Sequence, residues 1–406
     1  MHLFDEKFPR PQSPVSSPVI MTTPPISVVM PVFNGERFLR EAVESILAQT
    51  YTHFEFVVIN DGSTDGTGAI LDSYAASDAR VRVYHQDNRG LVDSLNRGCA
   101  IAAGKYLAIM HADDLAVRER LEWQIEFMER HAETGVVGGA VEVIDGAGRL
   151  LDCWRQPIEN AEIQGALLRR NPFVHSAAMM RKEAFLSAGG YRGFFPAEDY
   201  DLWLRIAERW RLANLEAAVA KYRIHPDQST CQKRRQETFC TLAVRAFASL
   251  RRDGRPEPLL PDEGITPEVL ARLGVNEAAQ QRALVADFLG TMASLARASQ
   301  DRAVIRLLGE LRDLASPGPA DRIGFSNALL LAARSHYRQG SSFRALGSLG
   351  RALATRPAIA ARPLKRGVSH ILKTVLLPSL SHGLEAVSKS PESFSPLRRR
   401  GAEDRK

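Results

Sequence analysis

Between residues 26 and 110 this chain alternates short β-branched apolar runs with amphipathic segments, and only a few residues separate one from the next. The apolar runs cover 27–33, 54–59, 81–84 and 106–110. After the first, Phe38, Leu39, Ala42, Val43, Ile46 and Leu47 fall on one helical face, while Glu36, Arg37, Arg40, Glu41 and Glu44 lie elsewhere. The spacing predicts further helices over about 67–76 and 90–103. Strand–helix–strand alternation with short connections builds a mainly parallel sheet with helices on both faces. The expected class is α/β, and ligands in such sheets bind in the loops at the carboxyl ends of the strands.

Those loops are polar and carry carboxylates. The second strand ends in Asn60-Asp61-Gly62-Ser63, where Gly62 permits a sharp turn and Asp61 can accept hydrogen bonds from a ligand; an Asx-turn capping the next helix fits equally well. The fourth ends in His111-Ala112-Asp113-Asp114. Two adjacent carboxylates repel unless a cation or donors compensate, and oxygen ligands there suit Mg²⁺ or Mn²⁺, although helix capping by either Asp is the alternative. A third cluster, Glu198-Asp199-Tyr200-Asp201, precedes an apolar helix expected over 201–210, so favourable placement at a helix dipole competes with a catalytic role. His225 follows Tyr222-Arg223-Ile224 and by itself reads as a loop histidine. Glycine-rich phosphate cradles and HExxH are absent from the sequence.

In order along the chain, Pro31-Val32-Phe33-Asn34-Gly35-Glu36, Asn60-Asp61-Gly62-Ser63-Thr64-Asp65, Asn88-Arg89-Gly90, Asn96-Arg97-Gly98, His111-Ala112-Asp113-Asp114, Glu198-Asp199-Tyr200-Asp201-Leu202-Trp203 and Tyr222-Arg223-Ile224-His225 resemble the family 2 glycosyltransferases over about residues 25–235. The resemblance implies a GT-A, Rossmann-like domain, a nucleoside-diphosphate-sugar donor (a UDP-sugar first among them), a saccharide or lipid-linked acceptor and inverting chemistry with Mg²⁺ or Mn²⁺. It implies that Pro31, Phe33, Glu36 and Gly90 line the nucleotide site, that Asp61 binds base or ribose, and that Asp113 sits near ribose or sugar. Asp114 would be the metal ligand, with His225 a further one, and Asp199 the catalytic base. His175 and Glu198 would lie toward the acceptor, His175 being otherwise structural. Trp203 reads as a core residue of its helix. The family often has Asp where His111 stands, which puts a ligand role for that position in doubt.

The remaining chain changes character. Residues 1–24 are Pro/Ser-rich and expected to be a flexible lead-in without a secretory signal; 236–387 read as a helical accessory domain, with helices at 283–299, 304–314, 328–338 and 343–354; 388–406 read as a disordered basic tail. The net charge of +6 invites a nucleic-acid reading, but residues 351–406 alone carry +8 and the rest −2. No nucleic-acid partner is expected. A basic amphipathic stretch within 361–406 could touch an anionic membrane, and the helical half could support a homo-oligomer. Cys99, Cys153, Cys231 and Cys240 lack paired spacing, which suits a reducing compartment, so the expected location is cytoplasmic or peripheral at the inner face of the membrane. Rival readings are a noncatalytic protein that keeps the sugar-nucleotide fold for binding or assembly, and a nucleotidyltransferase.

Overall fold

The structure, a computed structural model, describes residues 25–260, 264–314, 322–341, and 344, 345, 347, 348, 351 and 352. The expectations for 1–24, for the amphipathic stretch within 361–406, for the tail 388–406 and for most of the helix at 343–354 lie outside the described residues. The elements in order are β1 (Ile26–Val32), α1 (Glu36–Leu47), β2 (Phe54–Asp61), α2 (Thr67–Ser77), β3 (Val81–Gln86), α3 (Leu91–Ile101), β4 (Tyr106–Ile109), β5 (Leu115–Ala116), α4 (Arg120–Arg130), β6 (Thr134–Asp145), β7 (Leu150–Trp154), α5 (Asn160–Leu167), β8 (Met179–Arg181), α6 (Lys182–Ser187), α7 (Glu198–Ile206) and β9 (Arg211–Ile224). Among the described residues helices alone follow: α8 (Ser229–Gln232), α9 (Arg234–Arg252), α10 (Pro267–Arg272), α11 (Glu277–Arg297), α12 (Asp301–Leu314) and α13 (Arg322–Arg338).

One mixed sheet runs β3-β2-β1-β4-β8-β6-β9-β5, with β7 paired to β6. The expected parallel part is β3-β2-β1-β4, in which Ile26 pairs with both Phe54 and Tyr106. β1 and β2 are buried along their whole length, as strands covered on both faces must be. Period-two alternation divides their side chains: Ile26, Val28 and Met30 enter one apolar layer with Leu39, Val43 and Ile46 of α1, while Val29 enters the other with Leu95 and Cys99 of α3. β8 enters antiparallel between β4 and β6, and β9 runs parallel to β6. The ends of β1, β2, β4 and β9 and the start of β8 therefore meet on one edge.

The opposite edge is tight. A Cβ on Gly104 would come within 2.6 Å of the Ser27 backbone nitrogen, while the Gly104 amide donates to Ser27 Oγ at 2.8 Å. Backbone cannot yield as a side-chain tip can, so Gly104→Ala should destabilise the chain by about 1–3 kcal/mol. A drop in the thermal midpoint of several degrees checks this; an unchanged midpoint would show that the edge relaxes freely.

The helical half is not a separate body on a tether. Leu202 and Trp203 of α7, Phe239 and Phe247 of α9 and Phe288 and Met292 of α11 belong to one continuous apolar cluster that also contains Val29 of β1. Thr238 of α9 donates to Asp287 of α11 at 2.9 Å. Among the described residues, all four cysteines are free and no helix is long and apolar enough to cross a membrane.

Candidate active site

The loops after β1 and β2 are stitched together. Asn34 Oδ1 accepts from the Thr64 amide at 2.8 Å, the Asn34 amide donates to Ser63 Oγ at 2.9 Å, and Glu36 Oε2 accepts from the Gly66 amide at 2.8 Å. Pro31 is buried in β1, whereas Phe33 just beyond it is 52% exposed and presents a bare aromatic face. Asp61, 3% exposed, accepts from Gln86 Nε2 at 2.7 Å and from the amides of Arg89 and Gly90 at 2.8 and 2.9 Å. In this arrangement it shapes the 88–90 loop beside the site. Gly62 is required there: its φ is 73°, and a Cβ would lie 2.6 Å from the Asn88 backbone nitrogen.

After β4, His111, Asp113 and Asp114 each offer a ligand atom, all within 4.8 Å of one another. Asp114 is 1% exposed; its Oδ2 accepts from Ser176 Oγ and its Oδ1 from the Arg223 amide at 2.8 Å. Asp113 Oδ2 lies 3.0 Å from His225 Nε2. The side chain of Arg223, fully covered, donates from Nε to the Asp113 carbonyl at 2.8 Å, pairs with Glu41 at 2.7 Å and stacks over Phe38 at 4.5 Å. Buried Arg120 ties the carbonyls of Ile109 and Ala178, at 2.8 and 3.1 Å, thereby fixing the strand that delivers the cluster. These arginines, with Ser176, were not singled out from sequence; Arg223 stood inside the last motif, but nothing there distinguished it.

Burial, and then the charge of Asp113, hold the Asp114 carboxyl well above the usual carboxylate range. For Asp113 burial acts upward too, but the His225 bond and the His111 and His225 charges outweigh it and leave it lowered. Burial keeps His111 below the ordinary imidazole range, against the upward pull of the Asp113 charge. Two close carboxylates beside an imidazole, one carboxyl raised by burial and by its neighbour's charge, fit a hard divalent cation. Among the described residues the grouped ligand atoms are those of His111, Asp113 and Asp114, and His225 stands beside Asp113 with its buried Nδ1 unpartnered.

Asp199 lies in the first turn of α7, because that helix starts at Glu198 rather than at 201. Half-buried, it accepts from Asn171 Nδ2 at 2.8 Å and from the Tyr200 amide at 2.6 Å. Burial raises its carboxyl to about 6 against those bonds. Glu198 is 4% exposed, its Oε2 has no partner, and burial followed by the Asp199 charge pushes it up to about 8. A helix dipole would lower both, so burial dominates. His175 bridges the two centres: its Nδ1 lies 3.2 Å from His111 Nε2 and 4.0 Å from Glu198 Oε1, and its Nε2 lies 2.8 Å from the Tyr191 hydroxyl. His175 is 7% exposed and both its nitrogens are engaged. Glu198 is likewise withdrawn from the surface. Trp203, 0% exposed, packs against Phe173 and His175 in the core.

Glu198 makes stability depend on pH. Its folded value exceeds its ordinary 4.5, so the folded chain binds the extra proton between about 4.5 and 8, and stability falls as pH rises through that window. Glu198→Gln removes the titrating group. Its stability relative to the parent should climb between pH 5 and pH 8.5 by an amount on the order of a few kcal/mol, read as a rising difference in thermal midpoint; a difference that does not vary with pH would refute the assignment.

Against this geometry, the profile of glycosyl transferase family 2 matches residues 27–188. EpsE of Bacillus subtilis (strain 168), a glycosyltransferase by name, is 38% identical over 226 residues, 53% of this chain and 78% of its own. The chain belongs to glycosyl transferase family 2. The O-antigen biosynthesis glycosyltransferase WbnJ of Escherichia coli is 34% identical over 49% of this chain and 80% of its own, and the amylovoran biosynthesis glycosyltransferase AmsE of Erwinia amylovora is 34% identical over 54% and 84%. The protein is thus a glycosyltransferase, and the noncatalytic and nucleotidyltransferase readings give way. Each of these matches takes in about half of this chain.

Proposed function

We propose that this glycosyltransferase moves a sugar, with inversion, from a nucleoside diphosphate to an acceptor hydroxyl in the synthesis of a cell-surface polysaccharide or glycolipid, Asp199 acting as base. The polysaccharide assignment is supported by the O-antigen and amylovoran roles of the relatives. The observation that carries the chemistry is Asp199 itself: a half-buried carboxylate held by Asn171, with a pKa of about 6 that leaves it ionised yet basic near neutrality. Asp199 takes the proton of the acceptor hydroxyl as that oxygen attacks the anomeric carbon. A single displacement needs one base and no glycosyl–enzyme intermediate, unlike the two closely spaced carboxylates of a retaining mechanism.

On the donor side, exposed Phe33 offers a stacking face for a base, with Pro31 and Glu36 building the loop around it. Asp61 and Gly90 form the neighbouring wall, and Asp113 lies toward the ribose or sugar. Asp114, Asp113 and His111, with His225 behind Asp113, would hold Mg²⁺ or Mn²⁺, which when bound supplies Lewis-acid neutralisation of the leaving diphosphate. Arg223 and Ser176 keep these carboxylates in place. Release of nucleoside diphosphate from a panel of UDP-, GDP- and dTDP-sugars, with and without Mn²⁺, tests the reading; no release from any donor in the presence of metal and mixed saccharide acceptors would reject it.

A further inference from the structure

We propose that the cleft between β9 and α11 is a subsite for a neutral saccharide unit of the acceptor, so that the helical half of the chain takes part in acceptor recognition. The inference rests on the glycosyltransferase reading above. The cleft has a volume of about 330 Å³, in the range of small-molecule sites. One wall is aromatic: Trp154 at the end of β7 and Tyr222 of β9 are half-buried, with ring centroids 5.3 Å apart and planes inclined by 36°. Such rings offer an apolar face for the C–H face of a pyranose, and the Tyr222 hydroxyl is held by Gln228. The other wall is one face of α11, where Asp287, Gly290 and Thr291 stand at helical spacing.

Arg234 completes the lining. It is 8% exposed, pairs through Nη1 with Glu237 at 3.1 Å, and leaves its buried Nε without a partner. An unpaired buried donor is destabilising, and an accepting hydroxyl would relieve it. The occupant should be uncharged, because the cation of Arg234 already faces the carboxyls of Glu237 and Asp287. A phosphate would meet those acids, and an amine would meet the guanidinium. Hydroxyl-rich, neutral and flat on one face describes a hexose or N-acetylhexosamine.

A chain of hydrogen bonds joins the cleft to the acidic cluster. Gln228 donates to the Tyr222 hydroxyl at 2.7 Å and accepts from the His225 amide at 2.8 Å, and His225 bonds Asp113. On the other side, Glu237 is near enough to Glu198 for its charge to oppose ionisation there. A saccharide seated in the cleft would thus lie beside Gln228, which leads through His225 to Asp113.

The test uses the full chain and saturation-transfer NMR with the methyl glycosides of glucose, galactose, mannose and N-acetylglucosamine. At least one should bind, and its affinity should fall about tenfold or more in Gly290→Phe and in Trp154→Ala. A Cβ at Gly290 meets nothing within 4 Å, so the Phe variant fills the cleft without displacing the helix. Absence of binding by all four glycosides, or equal affinity in both variants, overturns the subsite. UDP and GDP binding with Mn²⁺ is read in the same samples: nucleotide binding retained without any glycoside effect rejects the subsite alone, while no nucleotide binding by the parent rejects the reading beneath it as well.

Discussion

Asp199→Asn should slow sugar transfer by about 10²–10⁴-fold while nucleotide affinity stays within a fewfold of the parent. The exchange is nearly isosteric. Asp199 now accepts from two donors, Asn171 Nδ2 and the Tyr200 amide, and an amide can accept from only one of them, so a cost of about 1 kcal/mol in stability accompanies the kinetic loss. The loss should appear in kcat rather than KM, because the carboxylate acts on a proton in flight. In the parent, kcat should fall as pH drops through about 6, where Asp199 becomes protonated. Asn171→Leu removes a donor that favours the ionised form and should move that limb to higher pH. A variant at 199 with near-normal turnover, or a limb that ignores Asn171, would take the role of base from Asp199.

Chelation by EDTA should lower turnover at least about 10²-fold, with recovery on adding Mn²⁺ or Mg²⁺, since cation neutralisation of a leaving diphosphate is worth several kcal/mol. Asp114→Asn should reproduce much of that loss even in excess metal. The variant can keep both contacts by accepting from the Arg223 amide with its carbonyl and donating from its amide nitrogen to Ser176 Oγ, so the fold should hold. Direct Mn²⁺ titration by electron paramagnetic resonance separates binding from rate. Full activity in EDTA would mean that the acidic cluster serves hydrogen bonding alone.

The parallel half of the sheet was legible because β1, β2 and β4 are mainly apolar runs, Ser27 and Glu55 being the interior exceptions, whose burial on both faces is written in their composition. β6 and β9 were not. Gly138 and Gly139 interrupt β6, and the alanines and charges of β9 show no clean alternation, since its register shifts against β6. The start of α7 was misplaced because acids at a helix entrance look like caps, and only burial reveals that Glu198 and Asp199 are inside the helix. Individual acids of the site could be named from motif order. Their coupling could not: His111 and His175 meet across 64 residues, and Arg223 reaches Asp113 across 110, distances along the chain that carry no local signal.

The continuous cluster joining α7 to α9 and α11 bears on how this protein can be taken apart. A chain cut near residue 235 would strip the back of the helix that carries Asp199 and leave Trp203 and its neighbours facing water. The catalytic half is consequently not an exchangeable cartridge: moving its specificity into another scaffold would require transplanting α9 through α11 with it, as one folding unit.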